Sequence, residues 1–149
     1  MANTYAVYSS GQIVLEYWCG DIYFDELMAH QLKQQSDTRI TPQSSEIVDF
    51  RDVNTYLSDS DVVKFSETLA KGNLTKKIAL ITRIKDWEQA TLFSKKAWFL
   101  DVEVIVFHTV EAACAWVDFD SKHIEKKLNQ LKLGLTAETE PETMAETDS

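Results

Sequence analysis

The stretch "KKIALIT", residues 76–82, decides the fold. Four consecutive apolar residues, Ile78–Ile81, stand in its middle, so both faces of a strand formed here would be apolar. A strand with one face in water alternates apolar and polar residues, whereas a continuous apolar run needs cover on both faces. The stretch therefore predicts a central strand of a parallel sheet, with Leu80 at the centre of the core.

Strand-like and helix-like segments alternate on both sides of this stretch. "TYAVYS" and "QIVLEYWC" are rich in β-branched and aromatic residues and are joined by Ser10-Gly11, which predicts a hairpin. "EIVDF" and "VEVIVF" predict two further strands. Segments of helical periodicity lie between the later strands and at the C-terminal side. The predicted order of elements is β-β-α-β-α-β-α-β-α-α.

Capping residues and apolar stripes predict how the helices lie. The second helix is expected over about Asp59–Lys71, and it ends at Gly72-Asn73. Asp21, Asp86 and Thr109 are expected to start the first, third and fourth helices. Apolar spacing predicts buried positions at Phe24, Leu27, Met28, Gln31, Leu32, Val62, Phe65, Leu69, Trp87, Trp98 and Trp116. His30 and His123 are expected at helix surfaces.

This order predicts an α/β fold with a mostly parallel five-stranded sheet, an N-terminal antiparallel hairpin and four to five helices. Right-handed crossovers between successive parallel strands place the connecting helices on one face of the sheet. The other face then needs either the terminal helix, "SKHIEKKLNQLKL", or a second subunit. Because the apolar stripe of this helix is narrow, a homodimer is favoured.

Length and charge indicate one domain followed by a tail. We expect a single domain over residues 1–135. Residues 136–149 carry five acidic side chains and no basic one, which predicts a disordered acidic tail. The net charge of −9, with no clustered basic face, argues against nucleic-acid binding. No apolar run is long enough to span a membrane, no signal peptide is readable, and Cys19 and Cys114 are far apart, so a cytoplasmic location is expected.

The segment Ser58-Asp59-Ser60-Asp61 has two interpretations. Ser58 followed three residues later by Asp61 is a variant of the capping box, and acidic residues suit the start of a helix. These residues could instead form a site for a ligand or a protein partner. The cap interpretation is favoured because it needs only local backbone groups.

Three stretches resemble the STAS-like fold of anti-sigma-factor antagonists and the related SpoIIAA-like bacterial proteins: "EIVDFRDVNTYLSDSDV", "KKIALIT" and "VEVIVFHTVEAACAWV". In SpoIIAA-like domains a "VxVF" strand precedes an "EAxxWV" helix, and this helix is one residue longer here. The resemblance implies a STAS-like domain. In the antagonists, a serine within an Asp-Ser-Ser/Thr-Gly motif is phosphorylated. Asp59-Ser60 matches its first half, which implies phosphorylation of Ser60, whereas Asp61 and Val62 depart from it.

Three basic residues follow or end predicted strands. Arg51, Arg83 and His108 are expected at the carboxyl edge of the sheet, where ligands of open α/β sheets gather. An ion pair of Arg51 with Asp49 or Asp52 is the alternative. The sequence carries no Gly-rich phosphate loop, nucleophile elbow or dinucleotide fingerprint, and three isolated histidines make no metal set.

These observations favour a bacterial, non-enzymatic regulatory module without a cofactor or metal that acts through a protein partner. The alternative is a carrier of a small molecule or lipid, because the SpoIIAA-like group resembles proteins with lipid-transfer-type domains. An apolar cavity beneath the helices would favour the carrier, and a space filled by side chains would favour the regulatory module.

Overall fold

The structure, a computed structural model, describes residues 2–72, 75 and 77–136. Five strands and five helices follow one another in the predicted order. The strands are β1 (Ala2–Tyr8), β2 (Ile13–Ile22), β3 (Ser45–Thr55), β4 (Lys77–Ile81) and β5 (Glu103–Phe107). The helices are α1 (Phe24–Gln35), α2 (Asp59–Gly72), α3 (Trp87–Phe99), α4 (Val110–Val117) and α5 (Ser121–Thr136). Asn73 and the predicted acidic tail beyond α5 lie outside the described residues.

The five strands form one sheet in the order β1-β2-β3-β4-β5. β1 pairs with β2 antiparallel, and every later pairing is parallel. Leu80 of β4 is paired with Val48 on one side and Val106 on the other, and only 6% of its surface is exposed. The continuous apolar run in β4 therefore does belong to a buried interior strand.

The connection between β1 and β2 is the predicted tight turn. Ser9, Ser10 and Gly11 all have positive φ, and the carbonyl of Ser9 accepts a hydrogen bond from Gln12. A Cβ atom at position 11 would lie 2.6 Å from the carbonyl oxygen of Arg39. Glycine is needed there because a side chain would be strained by the backbone angle and would collide with that backbone.

Helices α1, α2 and α3 cover one face of the sheet, as the successive crossovers predicted. Their apolar residues pack with those of the strands in one cluster, which includes Trp18, Val48, Val53, Leu69, Leu80 and Ala97. Val62, Phe65 and Leu69 of α2 point inward as predicted.

Helices α4 and α5 cover the opposite face. Ile124 and Leu128 of α5 are buried with Ile13 and Leu15 of β2, and α4 adds Val110 to the same cluster. The chain itself thus covers the second face with α4 and the terminal helix α5, and the homodimer stays a prediction.

Several positions predicted to be in the core are exposed or only half-buried. Leu32 of α1 is 64% exposed, and Trp87 and Trp98 of α3 are about half-exposed. Trp98 lies over the edge strand and donates from Nε1 to the carbonyl oxygen of Val104 at 2.8 Å, which leaves part of its ring in solvent. Trp116 is half-buried against the apolar cluster between the sheet and helices α4 and α5.

The predicted caps have three different outcomes. Asp21 ends up inside β2, and Tyr23 precedes α1 in its place. Asp86 precedes α3 but makes no capping hydrogen bond, because its carboxylate faces Arg83. Thr109 caps α4 as predicted, with Oγ1 accepting from the amide of Ala112 at 3.1 Å.

Among the described residues, no helix combines the length and apolarity needed to cross a membrane.

Candidate functional site

The three basic residues expected at the carboxyl edge do not form one site. Nδ1 of His108 lies 2.8 Å from the carbonyl oxygen of Thr82, and the Arg83 guanidinium donates to the carbonyl oxygen of Val53. His108 directly follows β5, and Arg83 lies two residues beyond β4, whereas Arg51 lies within β3 and does not follow it as predicted. Arg83 binds a backbone carbonyl of β3 through one terminal nitrogen, and its Nε atom is buried without a hydrogen-bond partner among the described residues.

Arg51 forms an ion pair with Asp49, which was the alternative to a role in ligand binding. Its guanidinium donates to both carboxylate oxygens of Asp49, at 3.0 and 2.9 Å. The hydrogen bonds with Asp49 raise the pKa of Arg51, and the nearby charges of Asp52 and Glu125 raise it further. Because Glu125 belongs to α5, Arg51 lies toward the face opposite α1–α3 and apart from Arg83.

The segment Ser58-Asp59-Ser60-Asp61 forms the start of α2. Oγ of Ser58 accepts from the amide of Asp61 at 3.0 Å, and the Asp61 carboxylate accepts from the amide of Ser58 at 3.0 Å. These reciprocal bonds are those of a capping box. Asp59 and Ser60 lie in the first turn with exposed side chains. Phosphorylation of Ser60 stays a prediction.

A cavity of about 110 Å³ lies between the sheet and helices α1, α2 and α3. It is enclosed mainly by apolar side chains from the helices and from the same face of β2, β3 and β4. These are Trp18, Leu27, Val48, Phe50, Val53, Leu57, Val62, Phe65, Leu69, Ile78, Leu80, Ala90 and Phe93. The space beneath the helices is therefore only partly filled by side chains.

A network of buried polar side chains lies beneath α1, and four of its members, Glu16, His30, Gln34 and Glu46, line the cavity. Glu16 of β2 accepts hydrogen bonds from Nε1 of Trp18 and from Nε2 of Gln34, both at 2.8 Å. Nε2 of His30 lies 2.8 Å from Oε1 of Glu16, a close charge contact without good hydrogen-bond alignment. Glu46 of β3 accepts from the hydroxyl of Thr75 at 2.9 Å. This polar network consists of five side chains: Glu16, His30, Gln34, Glu46 and Thr75.

The two carboxyl groups of this network have opposite pKa shifts. Burial, followed by the charge of Glu16 and a hydrogen bond to it, raises the pKa of Glu46 well above its usual range. Burial also raises the pKa of Glu16, but the close imidazole of His30 and hydrogen bonds from Glu46 and Trp18 outweigh it and hold that pKa well below its usual range. Glu46 therefore keeps its proton to higher pH than Glu16 does, and the two carboxyl groups share a hydrogen bond.

The polar network was not predicted, and the prediction that His30 lies at the surface is wrong, since it is only 7% exposed. The sequence did contain signals for it. Glu16 interrupts the apolar strand "QIVLEYWC", and Glu46 starts the strand "EIVDF". A carboxyl group within a buried strand needs a partner, and the inward face of the following helix is where that partner would be sought.

Thr82 lines the cavity at the carboxyl end of β4. It is 3% exposed, and its Oγ1 atom has no hydrogen-bond partner among the described residues. Thr82 stands four residues beyond Ile78, the partner of Glu46 in the sheet register, which corresponds to about 13 Å along a strand. Thr82 and the polar network therefore lie at opposite ends of the cavity.

Exposed aromatic and aliphatic side chains follow the carboxyl ends of the strands. The rings of Tyr23 and Tyr56 stack with centroids 5.1 Å apart, and both are about half-exposed. Ile84 and Trp87, just beyond β4, are also exposed. We call these four residues the carboxyl-edge surface.

No group of three or more His, Cys, Asp or Glu side chains among the described residues is arranged to hold a metal ion.

Comparison with known proteins identifies the fold. No protein-family model matches the chain, and no curated protein is significantly similar to it. A crystal structure of an uncharacterised protein of the DUF3478 family with a SpoIIAA-like fold, from Shewanella loihica, superposes with a TM-score of 0.50. The match has 15% sequence identity and covers 77% of this chain and 93% of the other. The chain therefore has a SpoIIAA-like α/β fold, as the resemblance implied.

Proposed function

We propose that this chain is a non-enzymatic binding module that holds a small, largely apolar molecule in the cavity beneath α1, α2 and α3. The cavity itself is the observation that carries the proposal, because it leaves room in a layer that would otherwise be closed by side chains. Ligand sites are typically concave, mostly apolar and provided with a few polar groups, and this lining has that character.

The volume of the cavity sets the size of the ligand. An engineered cavity of about 150 Å³ in another protein binds benzene. A space of about 110 Å³ is smaller, so it limits the ligand to about the size of a single six-membered ring. An acyl chain of lipid length would need the helices to move away from the sheet. The proposal therefore favours a small molecule over a lipid.

A binding role without catalysis is supported by the state of the polar network. The Glu16 carboxylate is already engaged by Trp18, Gln34 and His30, and Glu46 is engaged by Thr75 and Glu16. Among the described residues, the two carboxyl groups of the network are thus engaged within the fold and not directed at a ligand. We further propose a cytoplasmic location, which the two unpaired cysteines, Cys19 and Cys114, support.

Toluene is a suitable probe for the cavity. Saturating toluene should raise the melting temperature and shift the methyl NMR signals of Val48 and Leu80, because a ligand that binds only the folded state stabilises it. Ala90→Leu fills the cavity from α3 and should abolish both effects. Ala115→Leu adds the same atoms to the exposed surface of α4 and should preserve them. Absence of any toluene effect on the wild-type protein would overturn the proposal.

A second candidate is the protein-partner role implied by the resemblance. The carboxyl-edge surface favours it, because exposed stacked aromatic rings are typical of residues that dominate protein interfaces. This surface also adjoins the start of α2, where Ser60 is exposed. Binding of a protein here would place Ser60 beside the interface.

Affinity capture with matched variants tests this second candidate. A partner that binds the carboxyl-edge surface should be recovered by the wild-type protein and by Leu32→Ala, which changes an exposed apolar residue elsewhere. It should be lost with the double variant Tyr23→Ala, Tyr56→Ala. A protein recovered equally well by all three would not use this surface.

A further inference from the structure

We infer that the ligand of this cavity carries an uncharged hydrogen-bonding group, such as a hydroxyl, carbonyl or amide, and that this group binds the hydroxyl of Thr82. The inference rests on the proposed function and assigns the chemistry of the ligand. Its starting point is Oγ1 of Thr82, which is buried at the edge of the cavity without a hydrogen-bond partner among the described residues.

A buried hydroxyl without a partner is unfavourable, and most buried polar groups have one. Thr82 shares its face of β4 with Ile78 and Leu80, because alternate residues of a strand point the same way. Both of those residues line the cavity as Thr82 does. A ligand inside the cavity would lie beside Thr82, and a polar atom on that ligand would supply the partner that the buried hydroxyl lacks.

At the other end, Nε2 of His30 also lacks a hydrogen-bond partner among the described residues, but it lies 2.8 Å from Oε1 of Glu16 and is therefore already held by that carboxylate. The carboxyl groups of Glu16 and Glu46 and the amide of Gln34 already bind one another or their neighbours. A ligand group placed there would have to displace existing hydrogen bonds. The ligand is therefore oriented with its apolar body between α2, α3 and the sheet, and with its polar group at Thr82.

The charges around the cavity exclude an anionic ligand. Three carboxyl groups line it, those of Glu16, Glu46 and Asp86, and no lysine or arginine is among its described lining residues. The imidazole of His30 also lines the cavity, but it is already paired with Glu16. Burying an anion without a cation is strongly unfavourable. The carboxylate of Asp86 already faces Arg83, so it provides no free partner for a cationic ligand. An uncharged polar group is the chemistry that remains.

Two pairs of matched small molecules test the inference by calorimetric or NMR titration. Phenol and toluene have the same shape and differ by a hydroxyl against a methyl, and phenol should bind about tenfold more tightly. Butyramide and butyrate also match in shape, and only the neutral amide should bind at pH 7. Butyrate binding as tight as butyramide binding would overturn the inference.

Variants of Thr82 separate its hydroxyl from the rest of the cavity. Thr82→Val keeps the shape and removes the hydroxyl, so the preference for phenol over toluene should vanish while toluene binding is unchanged. Thr82→Ser should retain the preference. Thr68→Val is the control, because Thr68 does not line the cavity and its hydroxyl donates to the backbone carbonyl of Lys64 in the same helix.

The outcomes distinguish this inference from the proposed function. If toluene binds and the preference for phenol is absent or survives in Thr82→Val, the inference fails and the proposed function stands. If no probe binds the wild-type protein, both fail. The inference holds only if the hydroxyl at position 82 and the uncharged polar group on the ligand are needed together.

Discussion

Nε2 of His30 and Oε1 of Glu16 lie 2.8 Å apart in the layer between α1 and the sheet, and both side chains are almost completely buried. Breaking a buried charge contact by removing one partner is costly, because the remaining charge is left uncompensated. His30→Leu should therefore lower the free energy of unfolding by about 3–5 kcal/mol in urea denaturation at neutral pH.

The control for this prediction is His123→Leu, since His123 is exposed on α5. That change should stay within about 0.5 kcal/mol of the wild-type value. A similarly small effect of His30→Leu would show that the Glu16 carboxylate does not depend on the imidazole.

Glu46 makes the stability of the protein depend on pH. Its pKa in the folded state is raised well above the ordinary value of about 4.5. Between these two values the folded protein keeps a proton that the unfolded chain has released. The free energy of unfolding therefore falls as pH rises, by about 1.4 kcal/mol per pH unit for this group.

Glu46→Gln should remove this contribution, because an amide has no proton to lose and keeps the shape of the acid. Compared with the wild-type protein, the variant should lose less stability in urea denaturation as the pH is raised above the ordinary carboxyl pKa of about 4.5. Glu67→Gln, on the exposed surface of α2, should follow the wild-type curve. Parallel curves for the wild type and Glu46→Gln would mean that Glu46 is ionised in the folded protein.

Ser58 and Ser60 should respond differently to removal of the hydroxyl. Ser58→Ala loses the capping bond to the amide of Asp61 and should cost about 0.5–2 kcal/mol. Ser60→Ala should cost less, because Ser60 is exposed within the first turn. Thermal or chemical denaturation of the two variants measures the difference, and a larger loss for Ser60→Ala would contradict the cap.

Phosphorylation of Ser60 is tested separately. A phosphate there would stand between the carboxylates of Asp59 and Asp61, which is repulsive unless backbone amides or a basic group compensate. We expect mass spectrometry of the protein from its native cell to find Ser60 unmodified. Substantial occupancy of phosphorylated Ser60 would instead support the regulatory role seen in the anti-sigma-factor antagonists.

Leu80→Ala should cost about 2–5 kcal/mol, because the side chain is buried in the cluster beneath α1–α3. Leu32→Ala is the matched control: Leu32 is mostly exposed, and its truncation should change stability by less than about 0.5 kcal/mol. Chemical denaturation of both variants checks the comparison. Equal losses would mean that β4 is not the interior strand described here.

The order of the elements could be predicted from the sequence because its signals are local. The apolar run in β4, the turn at Ser10-Gly11 and the capping box at Ser58 each depend on residues close together in the chain. The parallel pairing of β2 to β5 followed from the lengths of the connections, because strands joined through a helix run in the same direction, whereas the order of the strands in the sheet was not predicted.

The exposure of individual aromatic residues could not be predicted in the same way. Trp87 and Trp98 stand at apolar spacing, but α3 packs beside the edge strand β5, so part of its apolar stripe extends past the sheet. The position of a helix relative to the sheet edge depends on the whole packing arrangement. A periodic pattern alone does not contain that information.

The sequence by itself determined the α/β class, the element order and the start of α2, because these depend on periodicity, turns and caps. Only the tertiary structure decided that His30 meets Glu16, that Glu46 keeps its proton and that Thr82 borders a cavity. Those relationships join side chains from β2, β3, β4 and α1 that are distant in the chain. Their charge states and partners therefore arise only when packing removes water and brings them into contact.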